Sequence, residues 1–99
     1  MTGLLTRETF DPHIDKIFRV KDGRHALTLV KIEAPQTDPP EWTFGQRSPF
    51  NLIFAGPPGD VLVEGMYVLE VEGGPSFELY VMPIHTPHRG RQDYQSSFN

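Results

Sequence analysis

The chain of 99 residues contains no cysteine, which excludes disulfide bonds, thiolate zinc sites and catalytic thiols. It also has no apolar run of about 18 residues, the length that spans a membrane, and its amino terminus lacks the pattern of a secretory signal. Clusters of lysine and arginine are missing too, since nine basic residues are dispersed among thirteen acidic ones. These absences predict a soluble, cytoplasmic protein that binds neither membranes nor nucleic acid.

Catalytic and nucleotide-binding motifs are equally scarce. The sequence contains no G-x-S-x-G, no H-E-x-x-H, no G-x-G-x-x-G and no Walker lysine. The stretch GPPGD at 56–60 is rich in glycine, but its two prolines lack the amide hydrogens that a phosphate cradle needs, so a rigid turn is the better interpretation. We therefore expect a protein that is not an enzyme and has no cofactor.

What the chain does contain is a series of short segments with a period of two, separated by many of its ten prolines and nine glycines. Residues 6–10, TRETF, resemble the capped first turn of a helix, which Pro12 limits. Strands are predicted from Ile17 to Val20, Ala26 to Glu33, around 50–55 and 67–72, and again after Gly73 and Gly74. Asp22-Gly23 and Gly73-Gly74 are hairpin signals.

Each predicted strand has one strongly apolar face, which must be buried against another sheet or by closing the sheet on itself. The sequence thus predicts an all-β fold: a small antiparallel barrel or sandwich of six to seven short strands, with one short N-terminal helix, forming a single domain over residues 1–99. The aromatic residues expected to point inward suggest a filled interior, which disfavours a small-molecule carrier; they are Phe50, Phe54, Tyr67, Phe77 and Phe98.

The long loop from 34 to 48, APQTDPPEWTFGQRS, holds the only tryptophan. Trp42 and Phe44 are its large apolar residues, and two interpretations of them stay open: they pack onto the barrel and pin the loop, or they contact a partner together with Arg47, because tryptophan is frequent at interface hot spots. At the carboxyl terminus, the segment DYQSSFN is expected either to close the barrel or to pair with a partner through a sheet edge.

The segment MPIHTPHRG at 82–90 carries the only clustered metal-capable side chains, His85 and His88. Pro83 and His88 fit the outline of the second motif of cupins, in which the histidine binds a metal. A cupin also supplies H-x-H and a glutamate; this chain has no H-x-H, and Glu64 and Glu70 are more simply outward-facing residues. We interpret the segment as the loop that follows a strand ending near Met82, because Pro83 and Pro87 would stop the pairing with a neighbouring strand. A cupin-like barrel that binds a metal or a small ligand is the alternative function.

Several stretches together resemble a small, uncharacterised bacterial all-β family, a domain of unknown function: LLTRETF, FRV, LTLVKIE, PFNLIFAGPP, EGMYVLEVE, FELYVMPI and a terminal FN. The resemblance covers nearly the whole chain. It implies a fold more than a reaction, since similar proteins have no assigned activity or catalytic residues, and it suggests a role beside phage-tail-like assemblies. We therefore expect a structural or protein-interaction domain that contacts another protein, or a second copy of itself, through a sheet edge or the 34–48 loop.

Overall fold

The computed structural model describes residues 7–33, 50–86 and 89–98. A single α-helical turn, α1 (Arg7–Phe10), is followed by a 3₁₀ turn (Asp11–His13) that contains Pro12. Six strands come next: β1 (Ile17–Val20), β2 (Ala26–Glu33), β3 (Phe50–Gly56), β4 (Gly65–Val71), β5 (Ser76–Ile84) and β6 (Gln92–Phe98). The predicted short helix and the predicted strand segments are confirmed.

The six strands form a closed antiparallel barrel in the order β1-β2-β3-β6-β5-β4. The barrel closes through two pairings that join distant parts of the chain, β1 with β4 and β3 with β6. β6 also pairs with β5 through residues 93–95, so the middle of β6 has a strand neighbour on each side. Of the two roles expected for this terminal segment, closing the barrel is the one observed, and the fold is a barrel and not a sandwich.

The barrel interior is filled by apolar side chains that alternate along the strands. Phe18, Leu29, Phe54 and Tyr94 have no exposed surface, and Phe50 is 4% exposed. The remaining aromatic residues expected inside, Tyr67, Phe77 and Phe98, are partly buried and pack against this core. The predicted inward set is therefore confirmed.

Different side chains cover the two ends of the barrel. At one end Phe10 of α1 lies among three aromatic rings, with ring centroids 4.8 Å from Phe77, 5.6 Å from Phe98 and 6.1 Å from Phe50. At the other end Leu62, from the connection between β3 and β4, is 5% exposed and belongs to the core cluster. This second end also carries the β1–β2 turn and the β5–β6 connection.

The prediction that pairing stops at Pro83 is wrong. β5 continues to Ile84, and Pro83 lies opposite Tyr94 of β6. The reason is that β4 begins opposite Val81, so β5 has only one strand neighbour at Pro83. A proline is tolerated where one edge of its strand is free, because its missing amide hydrogen can face away from the partner strand.

Candidate partner-binding surface

The connection between β3 and β4 presents apolar side chains to solvent. Leu62 points into the barrel, whereas its neighbours Val61 and Val63 are 46% and 75% exposed. Met66, three residues beyond Val63 on the outer wall of the barrel, is 58% exposed and lies directly opposite Tyr80 of β5, which is 41% exposed. We call Val61, Val63, Met66 and Tyr80 the valine-loop surface. Single apolar residues are normal on a protein surface, but several exposed within one short segment and its strand partner mark a candidate binding surface.

Asp60 fixes the start of this connection to the β1–β2 turn. The Arg24 guanidinium donates from Nε and Nη2 to the two carboxylate oxygens of Asp60, at 2.9 and 2.8 Å. Hydrogen bonds from Arg24 hold the pKa of Asp60 below its usual value of 3.8 and raise the pKa of Arg24. His25 Nε2 lies 3.1 Å from the backbone carbonyl oxygen of Asp60 and must carry the proton, because a carbonyl only accepts.

Leu62 is held from inside the barrel. Its backbone amide donates to the Tyr94 hydroxyl at 2.8 Å, and the contact is buried. Gly56 leaves room for this arrangement, since a Cβ there would lie 2.8 Å from Leu27 Cδ2 and 3.3 Å from Tyr94 Cε1. An amide that loses its partner in such a place pays the full cost of desolvation. The hydrogen bond therefore fixes which of the three consecutive apolar residues, 61 to 63, points inward.

Two further tyrosines hold the end of the connection. The Tyr67 hydroxyl donates to the backbone carbonyl of Val63 at 2.5 Å. The Tyr80 hydroxyl donates to the Glu64 carboxylate, and this hydrogen bond raises the pKa of Tyr80 above 10.0, because it favours the protonated phenol. Residues 60, 62, 63 and 64 are thus each bonded to a strand or to the β1–β2 turn. These hydrogen bonds restrain the connection, and a restrained surface loses less conformational entropy on binding than a free one does.

The three described histidines lie in different surroundings. His13 lies beside the rings of Phe18 and Phe77, with centroids 6.3 and 6.1 Å away, at the end of the barrel covered by Phe10. His25 is bonded to Asp60. His85 is exposed just beyond β5, and His88 lies outside the described residues. Within 7–33, 50–86 and 89–98, no group of three or more His, Asp and Glu side chains could hold a metal ion.

The partner contacts predicted in the 34–48 loop, Trp42, Phe44 and Arg47, also lie outside the described residues and stay predictions. The valine-loop surface was not predicted. Its one sequence signal is VLV at 61–63 directly after the GPPGD turn, an apolar alternation too short to be assigned to a strand.

The fold and the anchored surface define a small closed β-barrel with a preformed loop at one end. The chain belongs to the family described as Domain of unknown function (DUF6916), whose sequence profile matches residues 5–98. This confirms the resemblance to an uncharacterised family. No curated protein and no solved structure matches the chain. No helix in the described part of the chain is long and apolar enough to cross a membrane.

Proposed function

We propose that the domain is a non-enzymatic, cytoplasmic protein-binding module whose contact site is the valine-loop surface. The observation that supports this most is the combination of exposure and anchoring: Val63 is 75% exposed, yet the residues on both sides of it are hydrogen-bonded to the barrel. Binding loops held by a rigid scaffold are a common way in which small domains contact partners.

The size of the apolar area sets what kind of binding is expected. Covering the exposed parts of Val61, Val63 and Met66 would contribute about 3 to 5 kcal/mol, at about 1.5 to 3 kcal/mol for each fully buried side chain. The loss of translational and rotational freedom on association costs about 4 to 15 kcal/mol. The apolar contacts alone leave little or nothing after this cost, so a stable complex needs additional contacts. Tyr80, of a residue type frequent at hot spots, supplies one of them.

The 34–48 loop and the association with phage-tail-like assemblies remain further predictions about the same module. β2 ends and β3 begins at the opposite end of the barrel from Leu62, and residues 34–49 between them lie outside the described residues. The two proposed contact regions share no residue, so they can be tested separately by substitutions in each.

Site-specific crosslinking in the native cells tests the proposal. A photoreactive amino acid replaces Val63 in one variant and Ile17 in another; Ile17 is an apolar residue, 37% exposed, on β1 and distant from the valine-loop surface. We expect one defined protein adduct at position 63 that is absent at position 17. Equal adduct patterns at the two positions, or no adduct at 63, would contradict the proposed site.

A further inference from the structure

The valine-loop surface is bordered by acidic side chains. Glu64 lies in the loop itself, and Glu78 lies opposite Val68 on the outer face of β5, two residues from Tyr80. Glu70 lies on the outer face of β4, four residues beyond Met66. All three side chains are exposed. The apolar residues therefore adjoin a row of carboxylates on the β4–β5 wall.

Nearby cations do not neutralise this row. Among the ion pairs of the described residues, none involves Glu64, Glu70 or Glu78. Arg19, opposite Glu70 on β1, donates instead to Glu72, at 2.9 Å from Nη2. Lys21 follows β1, and its backbone amide bonds to the carbonyl of Val68. The wall thus carries two basic residues, Arg19 and Lys21, and four acidic ones. The acidic residues are Glu64, Glu70, Glu72 and Glu78, so the net charge of the wall is negative.

We propose that the partner which occupies the valine-loop surface is a protein segment that carries lysine or arginine side chains next to aliphatic or aromatic ones. This inference rests on the proposed function and specifies its partner. Apolar groups of the segment cover Val61, Val63 and Met66, while its cations reach Glu64 and Glu78. Such complementary charges supply the contacts that the apolar area lacks, and they increase the rate of encounter.

The same charges argue against a second copy of this chain as the occupant. In a two-fold symmetric dimer, each side of the interface presents the same residues. Two valine-loop surfaces facing one another would bring Glu64 and Glu78 of both copies into one interface, where the glutamates of the wall outnumber Arg19 and Lys21. Juxtaposed like charges disfavour such a complex. The chain is therefore expected to bind a different, basic protein at this site.

Selection from a random peptide library displayed on phage, with the full chain as the target, tests the inference and needs no identified partner. We expect the enriched peptides to combine Lys or Arg with Leu, Ile or aromatic residues. Affinities of synthetic peptides are then measured for the double variant Glu64→Gln/Glu78→Gln and for the control Glu8→Gln/Glu33→Gln, which changes the net charge equally but lies away from the surface. We expect about a three- to thirtyfold loss for the first variant and none for the control.

The outcomes separate this inference from the proposed function. Enriched peptides that are neutral or acidic, but lose affinity in Val63→Thr, would overturn the basic partner and leave the binding surface standing. Peptides whose affinity changes in neither Val63→Thr nor Glu64→Gln/Glu78→Gln would overturn both, and a selection that enriches no sequence would overturn the basic partner. Binding that does not weaken as salt is raised would also contradict it, because exposed charge pairs are screened. A dimer in sedimentation that dissociates in Val63→Thr would show that a second copy is the occupant.

Discussion

Replacing Tyr94 by phenylalanine removes one oxygen atom from the barrel interior and tests how the valine-loop surface is held. The hydroxyl accepts from the Leu62 amide at 2.8 Å, and Tyr94 has no exposed surface. Without the hydroxyl the amide stays buried with no partner, which costs about 1 to 3 kcal/mol. For a chain of this size that corresponds to a fall in Tm of at least about 4 °C.

The assay is urea denaturation combined with amide hydrogen exchange of Leu62. We expect Tyr94→Phe to lower the urea midpoint at an unchanged m-value. We also expect it to accelerate exchange of the Leu62 amide more than exchange of the amides in the strands. Tyr67→Phe is the matched control, since it also removes a tyrosine hydroxyl that bonds to the same connection, but in an exposed place. There we expect a change within about 0.5 kcal/mol. Equal and small effects of the two substitutions would refute the argument that the buried hydrogen bond anchors the loop.

Three further predictions concern the surroundings of this surface. An NMR titration of Asp60 should give a pKa below 3.8, and this pKa should rise toward 3.8 in Arg24→Gln. The ion pair then stabilises the fold above pH 3.8, and this stabilisation is lost as the pH falls through the lower pKa of the folded state. Gly56→Ala places a Cβ 2.8 Å from the buried side chain of Leu27 and should cost about 1 to 3 kcal/mol in denaturation experiments, as overpacking does. Addition of Zn²⁺, Ni²⁺, Mn²⁺ or Fe²⁺ should leave Tm unchanged; a rise of several degrees that disappears in His88→Ala would establish the cupin-like alternative.

Each of these predictions has a control in the chain. In Gly65→Ala the nearest atom to the new Cβ is a ring carbon of Tyr67, 3.6 Å away. This substitution should therefore lower the free energy of unfolding less than Gly56→Ala does. A pKa of Asp60 that does not respond to Arg24→Gln would show that the ion pair does not form in solution. For the metal test, His85→Ala tells whether both histidines of the segment are needed.

The individual strands could be predicted from the sequence because their signals are local. Alternation of apolar and polar residues, and turns such as Asp22-Gly23, placed β1 and β2 between Ile17 and Glu33. The choice between barrel and sandwich could not be predicted in this way. It depends on the pairings of β1 with β4 and of β3 with β6, which join residues far apart in the chain.

The valine-loop surface could not be predicted for the same reason. The hydrogen bond from Leu62 to Tyr94 spans 32 residues and the one from Tyr80 to Glu64 spans 16, and no local pattern encodes either. The alternation of apolar and polar residues also predicts that the outer face of each strand is exposed to solvent. Ile53 and Asp93 face outward, yet they are only 4% and 5% exposed. Burial on the outside of the barrel depends on tertiary packing that a strand's own pattern does not contain.

The most direct test of the central claim is the affinity of the protein crosslinked at position 63, measured by calorimetry with purified components. The double variant Val63→Thr/Met66→Gln changes apolar groups to polar ones of similar size without altering charge, and Ile17→Thr is its control. We predict an affinity at least about tenfold lower for the double variant, equivalent to about 1.4 kcal/mol, with Tm unchanged, and no loss for the control. Equal affinities for the wild type and the double variant would contradict the claim that the valine-loop surface is where this barrel binds its partner.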